Sequence, residues 1–138
     1  MSTLDHSISI RVYWEDTDAG GVVFYANYLK YFERARTEWL RALGIEQRRL
    51  QSEAGIQFVV ADVAMRYLAP AKLDDVLQVS ARVVEWGNAS LVFEQEARCG
   101  DVLLTQGRIR AGCVSASTLR PQRIPAALRE QLTRLGPA

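Results

Sequence analysis

Glu15, Asp16 and Asp18 gather three carboxylates where one patterned stretch of the chain ends and the next begins. Carboxylates in such a cluster can act as nucleophile or general base. The same acids also suit a solvated turn or the start of a helix, where negative charge is favoured. The lone histidine, His6, lies in a polar N-terminal stretch expected to fray, so a histidine triad or a His/Cys metal cluster lacks its raw material. Cys99 and Cys113 have no CxxC spacing and sit in strand-like stretches, where they read as small buried hydrophobes. Gly20-Gly21 and Gly100 match neither the dinucleotide fingerprint nor a phosphate-binding loop. The chemistry left to the chain rests on carboxylates, hydroxyls and backbone amides, with no cofactor and no metal expected.

The elements that must position these groups follow from hydrophobic periodicity. Ile8, Ile10, Val12 and Trp14 alternate with Ser9, Arg11 and Tyr13, which predicts a half-buried strand ending at Glu15-Asp16. After the turn-like Asp18-Ala19-Gly20-Gly21, Tyr25, Leu29, Phe32, Ala35, Trp39 and Leu43 recur at spacings of three and four, the stripe of one long amphipathic helix. Asn27 is placed to cap it through its side-chain oxygen, Gly44 to close it in the left-handed conformation, and Arg34 to pair with Glu38 on the wet side.

Period two returns with Val59, Ala61, Val63, Met65 and Tyr67 on one face, until Pro70 breaks the run. Three more strands follow, with inward rows Leu77/Val79/Ala81/Val83, Leu91/Phe93/Ala97/Cys99 and Leu103/Ile109/Ala111/Cys113, turning at Gly87-Asn88 and Gly100-Asp101. These four strands are expected to form a meander. Ile124, Leu128, Leu132 and Leu135, with Pro125 in the first turn, predict a short C-terminal packing helix. Strand, long helix, then four strands give an α+β class in which the helix lies on an antiparallel sheet.

The 138 residues, 49% hydrophobic, suffice for one domain spanning 1–138 with one core. A formal net charge of +1 gives no electrostatic reason to expect nucleic acid or an acidic membrane surface as partner. The N-terminus lacks the basic and apolar regions of a secretory signal, and no run approaches the ~20 apolar residues needed to span a bilayer. A cytoplasmic location without integral membrane association is expected.

Residues 12 to 40 run Val-Tyr-Trp-Glu-Asp-Thr-Asp-Ala-Gly-Gly-Val-Val-Phe-Tyr-Ala-Asn-Tyr-Leu-Lys-Tyr-Phe-Glu-Arg-Ala-Arg-Thr-Glu-Trp-Leu. This stretch closely resembles the signature of the 4-hydroxybenzoyl-CoA thioesterase family of hotdog proteins. Glu-Asp-Thr-Asp-Ala-Gly-Gly-Val-Val, Tyr-Phe-Glu-Arg-Ala-Arg-Thr-Glu and Leu-Ala-Pro-Ala-Lys-Leu-Asp-Asp (68 to 75) are most similar to the Tol-Pal-associated acyl-CoA thioesterases of that family. The similarity extends to about residue 121. It implies a long helix wrapped by a curved five-stranded antiparallel sheet, dimers that join their sheets, active sites between subunits and a homotetramer built from two dimers. It further implies hydrolysis of short- to medium-chain or aryl acyl-CoA, and contact with acyl carrier protein or phospholipid-synthesis enzymes. The family's essential aspartate falls on Asp18 and its oxyanion contact on the backbone amide of Tyr25, which leaves Asp16 as local structure.

That chemistry needs no histidine. A thioester carbonyl is already electrophilic, and the leaving thiolate has a conjugate-acid pKa of about 8.5, so a general acid is dispensable. One carboxylate and one amide at a helix N-terminus can supply the nucleophile or base and the oxyanion contact. Asp18 could attack directly to form a mixed anhydride or could activate a water molecule; both routes stay open.

The chain departs from the family pattern in two places. Many Tol-Pal-associated members carry histidine where this chain has Tyr25, a side chain that would also suit core packing. The basic residues that the aromatic-thioester branch sets in the turn at Gly87-Asn88-Ala89 are missing here, which turns attention to Arg66, Lys72 and Arg120 for phosphate binding, although each also suits a solvated surface. Two other functions remain on the same fold: a binding module for acyl carrier or envelope machinery, and an acyl dehydratase, for which His6 is badly placed.

Overall fold

A computed structural model describes residues 6–134. Strands β1 (His6–Arg11), β2 (Ile56–Tyr67), β3 (Val76–Trp86), β4 (Ser90–Cys99) and β5 (Val102–Ser115) form one antiparallel sheet in the order β1-β3-β4-β5-β2. Helix α1 (Tyr28–Ala42) lies across it; a short helix α2 (Gln47–Arg49) runs into a wider π turn (Leu50–Ala54), and α3 (Ala126–Leu132) follows the sheet. This is the architecture the resemblance implies, with one long helix against a five-stranded sheet. Among the described residues, no helix is long and apolar enough to cross a membrane.

The inward rows read from the sequence meet in register, except that a shift between Ala97 and Arg98 sets Leu103 opposite Arg98 and buries Leu104 in its place. Val79 opposes Ile8 and Ala97, while Phe93 opposes Val83 and Ile109, so small and large side chains alternate along the buried face. Trp39 of α1 stands edge-on to Phe93, ring centroids 5.4 Å apart. Close approach of helix and sheet depends on Gly107, where a Cβ would fall 2.6 Å from the Phe32 ring and 2.9 Å from Met65 Sδ. Gln95 sits in the middle of this apolar row. Its Nε2 donates to the carbonyls of Phe32 and Ser80 at 2.9 and 3.0 Å, and its Oε1 accepts from Arg36 at 2.8 Å, so the buried amide is satisfied.

Several expectations are corrected. The first strand ends at Arg11, and Trp14 turns outward, 80% exposed, in a 3-10 turn (Trp14–Asp16). The Asp16 carboxylate accepts the Tyr13 N–H at 2.8 Å and bends the chain before alternation can reach Trp14. His6 is not frayed but opens β1 opposite Ala81. The buried face of α1 carries Tyr28, Tyr31, Phe32, Ala35, Trp39 and Leu40; Leu29 lies at its margin, 40% exposed, and Tyr25 lies outside the helix altogether. Residues Tyr25–Asn27 form a tighter 3-10 turn, which breaks the phase of a 3.6-residue stripe projected back from Phe32.

Asn27 occupies the N-cap position without capping, because its side chain is turned to Asp16. Gly44 does close the helix, at φ +80°, with the Ile45 N–H reaching back to the Leu40 carbonyl and the Gly44 N–H to that of Arg41. Glu38 pairs with Arg41 at 3.2 Å, while Arg34 lies 6.0 Å above the Tyr31 ring instead of bridging to Glu38.

Only β3, β4 and β5 form a meander. The connection from β2 to β3 is too long for a tight turn and crosses the end of the sheet, so β2 pairs with β5 on one edge and β1 with β3 on the other. A register shift between Val60 and Asp62 resets the alternation of β2, and Val59, Val63 and Tyr67 remain exposed on this outermost strand instead of facing the core. Ile124, Leu128 and Leu132 bury the C-terminal segment as its spacing predicts, with Pro125 at the N-cap; Leu135 lies outside the described residues.

Candidate active site

The acid cluster is built on a small hairpin. The Phe24 N–H donates to the Asp16 carbonyl and the Asp18 N–H to that of Val22, both at 2.9 Å, with Thr17 opposite Val23 between them. Its tip is the turn from Asp18 to Gly21, closed by the Gly21 N–H on the Asp18 carbonyl at 3.0 Å. Gly21 has φ +78°, a conformation that side chains disfavour, and a Cβ on Gly20 would come within 3.2 Å of Asp18 Oδ1. The backbone conformation therefore demands glycine at 21, while at 20 a side chain would crowd the Asp18 carboxylate. The hairpin is fastened to the β2–β3 connection by the Val23 N–H on the Ala71 carbonyl and by pairing of Val22 with Lys72.

Asp18 is exposed at the tip. Its Oδ1 accepts the Gly20 N–H at 2.8 Å, while its second oxygen takes no hydrogen bond from the described residues. The return arm leads through Phe24 directly into the turn that opens α1. Tyr25 is the first residue of that turn, so no carbonyl within it can reach the Tyr25 N–H. The Tyr25 carbonyl accepts the Tyr67 hydroxyl at 2.9 Å. The Tyr25 ring is 63% exposed and stands against Phe24 and Tyr67, with centroids 4.9 and 6.1 Å away, so the side chain does not pack in the core.

Asp16, only 8% exposed, differs in kind from Asp18. Its Oδ2 accepts from Tyr13 and its Oδ1 from Asn27 Nδ2 at 2.9 Å. Burial opposes ionisation, but the Tyr13 amide, Asn27, Tyr31 and the charge of Arg34 together outweigh it and hold the carboxyl below its ordinary range. The Tyr31 hydroxyl is buried beside this carboxylate without reaching hydrogen-bond geometry; burial and the Asp16 charge push its ionisation far up. Burial does the same, more mildly, to Tyr28 and Tyr67. Glu15 is exposed beside them on the preceding 3-10 turn, so the site presents the solvent-facing Asp18 carboxylate, a Tyr25 amide unclaimed among the described residues, and an aromatic wall.

Of the basic residues suggested for phosphate, Lys72 alone adjoins the hairpin. Arg66 lies in a cavity of about 660 Å³ together with Arg82, Arg98 and Arg108, and Arg120 stands on the turn after β5. No sequence pattern points to Arg129, which donates from α3 to the carbonyls of Gly87 and Asn88 and so brings a guanidinium to the turn that lacks one of its own. Tyr67 was missed as well, since a contact spanning 42 positions leaves no local signal. Cys99 and Cys113 are free thiols, and burial pushes that of Cys113 up.

The family model described as the thioesterase-like superfamily matches residues 12–132. The acyl-CoA thioesterase YbgC of Haemophilus influenzae is 44% identical over 119 residues, covering 86% of this chain and 88% of that protein. The acyl-CoA thioester hydrolase YbgC of Escherichia coli is 39% identical over 129 residues, covering 93% and 96%. Among solved structures, a probable thioesterase from Bartonella henselae superposes with a TM-score of 0.84 at 32% identity, covering 88% of this chain and 99% of that one.

Proposed function

We propose that this chain, which belongs to the thioesterase-like superfamily, hydrolyses acyl-CoA to free acid and coenzyme A, with Asp18 and the Tyr25 amide as its catalytic groups. The observation that carries the reading is the hairpin itself. One arm ends in an exposed carboxylate whose direction the Gly20 N–H fixes, and the other feeds into the Tyr25 amide, unclaimed among the described residues, in the 3-10 turn that leads into the 15-residue helix α1. The relatives named as acyl-CoA thioesterases support the substrate class.

Hydrolysis needs a group that adds to the thioester carbon and a donor for the oxygen on which charge develops. A preorganised amide at a helix start offers the second through its hydrogen bond and the helix dipole. Asp18 supplies the first in one of two ways. It adds directly, the C–S bond breaks with loss of the thiolate, and water cleaves the resulting anhydride. Alternatively it takes a proton from a water molecule that adds in its place. The thiolate is stable enough to leave without protonation.

The acyl range we propose is short- to medium-chain or aryl, bounded by the aromatic wall of Phe24, Tyr25 and Tyr67. We further propose that two copies join at β2, whose outer edge and exposed Val59, Val60 and Val63 make an unprotected strand margin. Two such dimers would make the tetramer.

The test is steady-state thiol release from acetyl-, butyryl-, hexanoyl-, palmitoyl- and 4-hydroxybenzoyl-CoA by wild type and Asp18→Asn. Hydrolysis by wild type that falls at least about 10²-fold in the variant is expected. Wild-type turnover by Asp18→Asn would remove Asp18 from the chemistry, and negligible turnover by folded wild type would remove the activity.

A further inference from the structure

Asp16 accepts three hydrogen bonds. Its carboxylate holds the Tyr13 N–H at 2.8 Å and Asn27 Nδ2 at 2.9 Å, and its carbonyl holds the Phe24 N–H at 2.9 Å. One residue thereby ties the turn before the hairpin, the hairpin's return arm and the turn that opens α1. Asp18 lies two positions beyond it on the outgoing arm, and Tyr25 lies between Phe24 and Asn27. The chain from Asp18 to Tyr25 runs out and back through the hairpin, and Asp16 closes that hairpin at its base through the bond from Phe24.

The behaviour of Asn27 points the same way. At an N-cap position its side chain would ordinarily accept a helix N–H, yet it makes no capping bond and donates to Asp16 instead. Backbone pairing already closes the hairpin, through Asp16 with Phe24 and Asp18 with Val22. A buried carboxylate joined to the helix start is not needed for that closure, and taking a charge out of water is costly. What the side-chain bond adds is a fixed distance between hairpin and helix.

We infer that Asp16 and Asn27 are positioning residues, a buried clamp that sets the Asp18 carboxylate against the Tyr25 amide; this rests on the reading that those two groups do the chemistry. Neither clamp residue needs to touch the substrate. Their effect falls on the catalytic step, since a misplacement of about 1 Å between reacting groups costs on the order of 10²-fold in rate.

Asn27→Asp sets two carboxylates face to face in the clamp. It is expected to lower kcat roughly 30- to 100-fold with KM within about 2-fold of wild type. The double variant Asp16→Asn with Asn27→Asp keeps an oxygen toward the Tyr13 N–H and rebuilds the second bond with donor and acceptor exchanged. It is expected to recover kcat to within about 5-fold of wild type. Should Asn27→Asp fail to fold, Asn27→Ser serves, because serine can cap the helix but is too short to reach Asp16: thermal stability is then kept while kcat falls about 10-fold or more. Wild-type kcat in folded Asn27→Asp or Asn27→Ser overturns the clamp. So does a loss confined to KM, or a loss that the exchanged pair, folded as stably as wild type, does not restore. Asp18→Asn is run alongside. If it is inactive while the clamp variants turn over normally, the clamp alone is wrong; if it is active, the catalytic assignment beneath the clamp is wrong.

Discussion

The phenol of Tyr67, at the end of β2, donates a 2.9 Å hydrogen bond to the carbonyl of Tyr25, the residue that opens the turn into α1. An outermost strand thus steadies the peptide that carries the proposed oxyanion contact. The rings of Tyr25 and Tyr67 meet edge to face and Tyr28 stands 5.8 Å from Tyr67, so the hydrogen bond is backed by packing.

Tyr67→Phe separates the two contributions. The ring contacts stay and the bond is lost, which at a half-exposed site costs about 1 kcal/mol or less of stability. The expected outcome is a kcat reduced roughly 3- to 10-fold with little change in the urea midpoint. An unchanged kcat would show that the Tyr25 peptide is held well enough by its own turn.

Gly107→Ala probes the contact of helix and sheet. A methyl group 2.6 Å from Phe32 and 2.9 Å from Met65 forces one of them aside. Overpacking of this kind costs about 1–3 kcal/mol, read as a lower midpoint in equilibrium urea unfolding. A smaller loss would mean that Met65, the more flexible neighbour, yields without dragging β2.

Asp16 gives stability a pH dependence of definite sign. Its carboxyl is held below the ordinary range in the folded chain, so its contribution is present above the unfolded value near pH 4 and is lost as pH falls through the folded value. Wild type is therefore expected to lose more stability than Asp16→Asn between pH 6 and pH 3 in urea titrations. Equal losses would mean that Asp16 gains nothing from its partners.

Val63→Arg tests the proposed joining of sheets at β2. A charge on the exposed apolar margin disfavours edge-to-edge pairing. Sedimentation velocity is expected to show wild-type assemblies and a monomeric variant. A variant that stays associated would place the interface elsewhere on the molecule.

The sequence by itself determined the order of the five strands, the long helix and the C-terminal helix, because period two and period 3.6 alternate along the chain wherever one face of an element is buried; the short helix and π turn over 47–54 bury no residue and left no such pattern. It also marked the turn at Asp18–Gly21, where the backbone demands glycine at 21, and the resemblance carried by the same residues directed attention to Asp18 and Tyr25. Inward rows such as Leu77, Val79, Ala81 and Val83 were legible because each residue's fate depends only on its own strand.

Only tertiary structure decided what depends on partners distant in sequence. Trp14 continues an alternating pattern, yet a bond between Tyr13 and Asp16 bends it into solvent. Asn27 has the residue type and position of a helix cap, yet a buried carboxylate eleven positions earlier claims its side chain. The crossing of β2 to the far edge of the sheet, the glutamine at the centre of an apolar row and the phenol of Tyr67 on Tyr25 leave no local pattern. Periodicity records which side of an element meets the core; it carries no record of which polar group waits there.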